Sequence, residues 1–148
     1  MIAYWKSLYL DDLTDAAIEI IADSAENRSS RSTMIFVQHL GGAVRRVRTD
    51  ETAFASRNAA FVTNFMGDWR DPRDTPRHVA WVREAWNRLA PHSTGAVYLN
   101  YLGLEERDAD SLTRASFGSN YGRLIEIKAK YDGANFFRLN QNIKPTSH

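Results

Sequence analysis

From Ala60 to Trp69 the chain alternates in part, with Val62, Asn64 and Met66 on one side of an extended backbone and Phe61, Thr63, Phe65 and Gly67 on the other. Successive side chains of a strand point to opposite faces, so this run predicts a strand with two distinct faces. The turn Asp71-Pro72-Arg73-Asp74-Thr75-Pro76 separates it from an apolar stripe at helical spacing, Val79, Trp81, Val82, Ala85, Trp86 and Leu89. Pro91 sets the end of that helix near Ala90. A strand followed so closely by a helix with one apolar face is satisfied when the helix lies on the sheet.

The other segments fit the same plan. Leu13, Ala16, Ala17, Ile18, Ile20 and Ile21 recur at near-helical spacing behind Asp11, Asp12 and Asp15, which predicts a first helix over 14–24. The polar stretch Glu26 to Ser32 reads as a loop. Met34 to Leu40 and Ala43 to Val47 are β-prone runs split by Gly41-Gly42, fitting either a hairpin or a kinked continuous strand. Gly95 to Tyr101 reads as a fourth strand, and Asp108 to Phe117 and Asn120 to Tyr131 as two helices parted at Gly118. Phe136 to Ile143 reads as an ordered extension. The sum is an α+β fold, an antiparallel sheet with helices on one face, in a single domain spanning 1–148.

With 19 Lys and Arg against 18 Asp and Glu, the formal charge of +1 gives no electrostatic reason to expect nucleic acid or an anionic membrane as partner. Cysteine is absent, which removes disulfides, thiolate metal sites and a cysteine nucleophile. His39 has no Cys or carboxylate at ligand spacing, so no metal is expected. No run of 18 apolar residues and no leader pattern occurs, and the expectation is a cytoplasmic protein.

The C-terminal third carries the most specific pattern. Tyr98-Leu99-Asn100-Tyr101, Asn120-Tyr121-Gly122-Arg123-Leu124, Lys128-Ala129-Lys130-Tyr131-Asp132 and Phe136-Phe137-Arg138-Leu139-Asn140-Gln141-Asn142-Ile143 follow one another at close spacing. This order resembles the C-terminal end of the berberine bridge enzyme-like, FAD-linked oxidases. Two departures stand out: Ser56 replaces the His of a Phe-x-His-Arg stretch at Phe54-Ala55-Ser56-Arg57, and Gly133 replaces the Pro of Asp-Pro-x-Asn. Without the resemblance, a Tyr in an apolar strand reads as a core or rim aromatic.

The resemblance implies an FAD-dependent oxidoreductase acting on a hydroxylated small molecule. It implies that Tyr101 takes the substrate proton and that Asn100 lies close to the flavin ring, with Asn140, Gln141 and Asn142 near the flavin-binding half. Gln38, His39, Asn64 and Phe65 are the implied substrate-facing residues of the sheet, while Tyr98 and Tyr101 should point to opposite faces of the fourth strand. The eight glycines are scattered and form no phosphate-cradling run, so FAD must come with a flavin-binding domain or chain, and the isolated chain should be inactive. Two rival expectations stand beside this one. The first is a non-catalytic, homo-oligomeric interaction module; the second is a ferredoxin-like cofactor-independent monooxygenase with His39 and Trp69 in one closed pocket.

Overall fold

A computed structural model describes residues 1–103 and 109–146. Three strands, β1 (Ile2–Leu10), β2 (Met34–His39) and β3 (Phe61–Trp69), form an antiparallel sheet in the order β1-β3-β2. Helix α1 (Asp15–Glu26) follows β1, the short α2 (Ala43–Arg46) follows β2, and α3 (Thr75–Leu89) follows β3. Helices α4 (Ala109–Phe117) and α5 (Tyr121–Tyr131) close the order, joined by a 3-10 turn over Gly118–Asn120. The expected helix start at Asp108 lies outside the described residues.

Register assigns each side chain to a face. Lys6 opposes Phe65, Leu8 opposes Thr63 and Leu10 opposes Phe61, with Ile35, Val37 and His39 continuing these rows onto β2. On this first face Leu8, Leu10 and Phe65 meet Val82, Ala85 and Leu89 of α3 and Ala17 of α1 in the main core. The second face carries Trp5 opposite Met66, Ser7 opposite Asn64 and Tyr9 opposite Val62, continued by Met34, Phe36 and Gln38. There a smaller cluster of Tyr9, Ala59, Val62 and Ala96 packs under Leu40 and Phe54.

Local chemistry explains the helices. Thr14 caps α1, its Oγ1 accepting from the Ala17 N–H at 3.3 Å. In α3, His78, Val82, Ala85 and Leu89 recur at the spacing that keeps one stripe against the sheet. Trp81 meets Phe65 edge-on at 6.3 Å, and the Trp86 indole N–H donates to the Ser7 carbonyl at 2.9 Å. The tryptophans of this region thus serve core and helix contacts.

His78 is a buried imidazole stacked on Trp69 at 5.0 Å, with Nδ1 hydrogen-bonded to Ser29 Oγ at 2.8 Å. Burial, then the nearby Arg77, lowers its pKa below the usual 6.5. The folded protein therefore resists a proton that the unfolded chain accepts, and the contribution of His78 to stability is lost as pH falls below about 6.5. The thermal midpoint is expected to fall more steeply from pH 7 to 5 in the native protein than in His78→Gln; equal slopes would remove His78 as the cause.

Two expectations need correcting. The β-prone run 43–47 is the helical turn α2, because Gly42 at φ 55° turns the chain out of the sheet after His39. The run 95–101 is not a full strand. Thr94 donates to the Tyr9 carbonyl at 2.9 Å and Tyr9 to the Ala96 carbonyl at 3.2 Å, but the chain then coils into a 3-10 turn over Leu99–Tyr101. The N-terminal strand β1 carries no clean alternation in sequence and is an addition to the expected elements.

Candidate active-site cleft

The 3-10 turn decides where the two tyrosines point. An extended chain would send residues three apart to opposite faces; the turn instead brings the rings of Tyr98 and Tyr101 edge to face at 5.2 Å. Ser7 fixes the start of this segment, accepting the Tyr98 N–H at 2.7 Å. Tyr101 also meets Trp5 edge-on at 5.3 Å, and the Trp5 indole N–H donates to the buried Asp68 carboxylate at 3.2 Å.

Tyr101 is half-buried and lines an open groove of about 270 Å³ with Tyr4, Trp5, Asn100 and Gly103. The Asn100 side-chain N–H donates to the Tyr98 hydroxyl at 2.8 Å, which ties its amide to a phenol and leaves its second N–H and its oxygen for another group. Two phenols, one amide and an indole are therefore in mutual contact where the sequence indicated Tyr101 and Asn100. Asp68 was also missed, although it continues the period-2 row of Asn64 and Met66.

The sheet residues divide between the two faces. Asn64 and Gln38 are on the second face, with Asn64 buried and its Oδ1 without a hydrogen-bond partner. An orphaned buried acceptor is costly, and a ligand donor or a water is the usual remedy. Phe65 is on the first face and wholly buried against α3, so it is a core residue and offers no surface to a substrate. His39 also points to the first face, exposed at the end of the edge strand and tilted against Phe61 at 5.3 Å. Trp69 is at the far end of β3 from Phe61, roughly 27 Å away at 3.4 Å per residue, so His39 and Trp69 share no pocket. Arg57 is engaged by its own loop, donating to the Val44 carbonyl at 3.2 Å and to Thr52 Oγ1 at 2.8 Å.

The tail amides differ in role. Gln141 donates to the Leu102 carbonyl at 2.8 Å, fastening the tail beside the groove. Asn140 is exposed at φ 60°, and Asn142 Oδ1 is buried without a partner. Upstream, Asp132 accepts the Phe136 and Phe137 N–H groups at 2.7 and 3.0 Å and pairs with Lys128. The Lys128 hydrogen bond, followed by those from the Phe136 and Phe137 N–H groups, holds the Asp132 carboxyl below the usual range.

Comparison with known proteins places this arrangement. The model of the family "Berberine and berberine like" matches residues 97–144, the segment that carries both tyrosines and the tail. The chain is 31% identical over 136 residues to the uncharacterized FAD-linked oxidoreductase YvdP of Bacillus subtilis, covering 92% of this chain and 30% of that protein. It is 32% identical over 114 residues to a monolignol oxidoreductase of Arabidopsis thaliana, covering 70% of this chain and 21% of that one. The solved structure of Physcomitrella patens BBE-like 1 superposes with a TM-score of 0.83 at 25% identity, over 99% of this chain and 31% of that one. The chain belongs to the berberine bridge enzyme-like region of the FAD-linked oxidases. It spans about three tenths of the length of the FAD-linked oxidoreductase it matches.

The groove fits part of a flavin. Two aromatic edges and a side-chain amide oxygen suit one end of a flat heteroaromatic ring. Its volume is below the roughly 300–1,000 Å³ of a complete cofactor or drug-sized site, so the rest of a dinucleotide needs other residues.

Proposed function

We propose that this chain is the substrate-facing part of an FAD-dependent oxidoreductase that oxidises a hydroxylated small molecule, and that it works with a flavin-carrying segment. The observation that carries the reading is the convergence of Trp5, Asn100 and Tyr101 on one open groove, with the Tyr98 ring edge-on to Tyr101 and its hydroxyl held by Asn100. Bound FAD would supply the two-electron acceptor. The chain's own residues position and deprotonate. Tyr101 stands edge-on to Trp5 and Tyr98, which restrict its ring, and its oxygen, once its own proton has passed to solvent, is the group that accepts the substrate hydroxyl proton. Asp68 orients Trp5, and Asn100 orients the Tyr98 hydroxyl. Asn64 and Gln38 are polar residues on the same second face of the sheet as Trp5, and the name of the Arabidopsis relative is in keeping with a hydroxylated substrate.

Mixing the purified chain with FAD tests the division of labour. The expected result is no bound-flavin spectrum and no alcohol oxidation; a stoichiometric yellow complex with oxidase activity would overturn it.

A second reading, self-association, is favoured by β2. Its outer edge has no strand beside it among the described residues, and Met34, Phe36 and Val37 are exposed on it. Light scattering over a concentration series is expected to show mass above 16.9 kDa, and a strictly monomeric chain counts against this reading.

A further inference from the structure

Asn100 lines two openings. Besides the groove at Tyr101, it borders a cavity of about 200 Å³ whose other walls include Tyr9, Phe54, Ser56, Tyr98 and Phe117. Four separate parts of the chain build this cavity: β1, the loop before β3, the segment 97–100 and the end of α4. Tyr9 and Phe54 meet edge-on at 6.2 Å within it.

The loop is held in place. Arg57 ties it to Val44 and Thr52, while the buried Asn120 donates to the carbonyls of Thr49 and Thr52 at 2.6 and 3.0 Å. These bonds come from different elements, so the wall cannot close onto Tyr9 without breaking them. The space is preformed.

Its chemistry is one-sided. Four aromatic walls and the small side chains of Ala53 and Val97 leave the Ser56 hydroxyl, the Asn100 amide and the Tyr9 and Tyr98 phenols as polar handles. Burial, with the Tyr98 phenol second, raises the Tyr9 pKa, so that hydroxyl stays protonated and can donate. A bare sugar would leave most of its hydroxyls unpaired there, at a cost for each. An apolar cavity of about 150 Å³ accommodates benzene, so this one has room for a six-membered ring and a short substituent.

We propose that this cavity is a substrate subsite for a ring-sized apolar group, so that the preferred substrate is an alcohol attached to one aromatic or similarly compact ring. The inference rests on the reading that Tyr101 faces the substrate, but occupancy of the cavity is measurable without flavin. That keeps its failure apart from failure of the oxidase reading, which the FAD titration tests.

The experiment is a titration of the ¹⁵N-labelled chain with benzyl alcohol, and separately with glucose, followed by amide chemical shifts. Benzyl alcohol is expected to saturate with a Kd on the order of 1 mM and to shift the amides of Phe54, Ser56, Val97 and Phe117. Glucose should leave them in place. Ser56→Trp, which fills the cavity, should weaken benzyl alcohol at least about tenfold, equivalent to about 1.4 kcal/mol. If that variant does not fold, Ser56→Leu carries the same expectation. No saturable shift, equal shifts with glucose, or unchanged binding in the filled variant would each overturn the proposal.

Discussion

Tyr101→Phe is expected to lower kcat by roughly 10²–10⁴-fold, with KM held within a few-fold, in an enzyme assembled from this chain and a flavin-carrying segment. Phenylalanine keeps the ring, so the edge contacts to Trp5 at 5.3 Å and Tyr98 at 5.2 Å survive and the groove keeps its shape. Only the oxygen leaves. Loss confined to kcat is the signature of a group that acts on the reacting proton, whereas a merely structural ring would show little change on removal of its hydroxyl. If Tyr101→Phe turned over within twofold of the native chain, the proton acceptor would have to be elsewhere. The Tyr98 phenol, held by Asn100 at 2.8 Å, would be the next to replace.

The parts of this fold legible in the sequence were those where one period dominates. The split of β3 into an Asn64–Met66 side and a Thr63–Phe65 side followed from alternation, and the α3 stripe from helical spacing. Alternation alone does not say which side meets a ligand, which is why Phe65 was grouped with Asn64 and proved to be core. Strand β1 escaped because Tyr4, Leu8 and Leu10 feed one face while Trp5 and Tyr9 feed the other, leaving no clean hydrophobic-polar pattern to read. In 43–47, Val44 and Val47 flank an arginine pair in a run that suits a strand, yet the conformation at Gly42 overrides propensity.

The candidate site was half legible for a related reason. Tyr101 and Asn100 were marked by a motif, but their neighbours Trp5 and Asp68 come from strands distant in sequence and meet only through the β1–β3 register. The position of Tyr98 depended on a 3-10 turn that no local pattern announced, since residues 94–96 do pair with β1 before the chain coils away.

Phe65→Ala should be the most destabilising single change on the sheet, by about 3–5 kcal/mol, whereas Asn64→Ala on the next residue should change stability by about 1 kcal/mol or less. Phe65 is wholly buried between β3 and α3 and meets Trp81 at 6.3 Å, so truncation leaves a cavity that the surrounding strands and helix cannot fill. Asn64 is nearly as buried, but its Oδ1 has no hydrogen bond to lose, and removing an orphaned acceptor offsets part of the lost contact. For a chain of 148 residues, the first change corresponds to a fall in thermal midpoint of roughly 6–20 °C and the second to a few degrees at most. Far-UV circular dichroism melts of the two variants give the comparison directly. Equal destabilisation by the two would mean that the two faces of β3 are not divided between core and cleft, and with that division would go the placement of Asn64 beside the substrate. The expected inequality, by contrast, shows one strand using its alternate residues unequally: the side that holds α3 carries the larger share of the stability, and the Asn64 side can change at little cost.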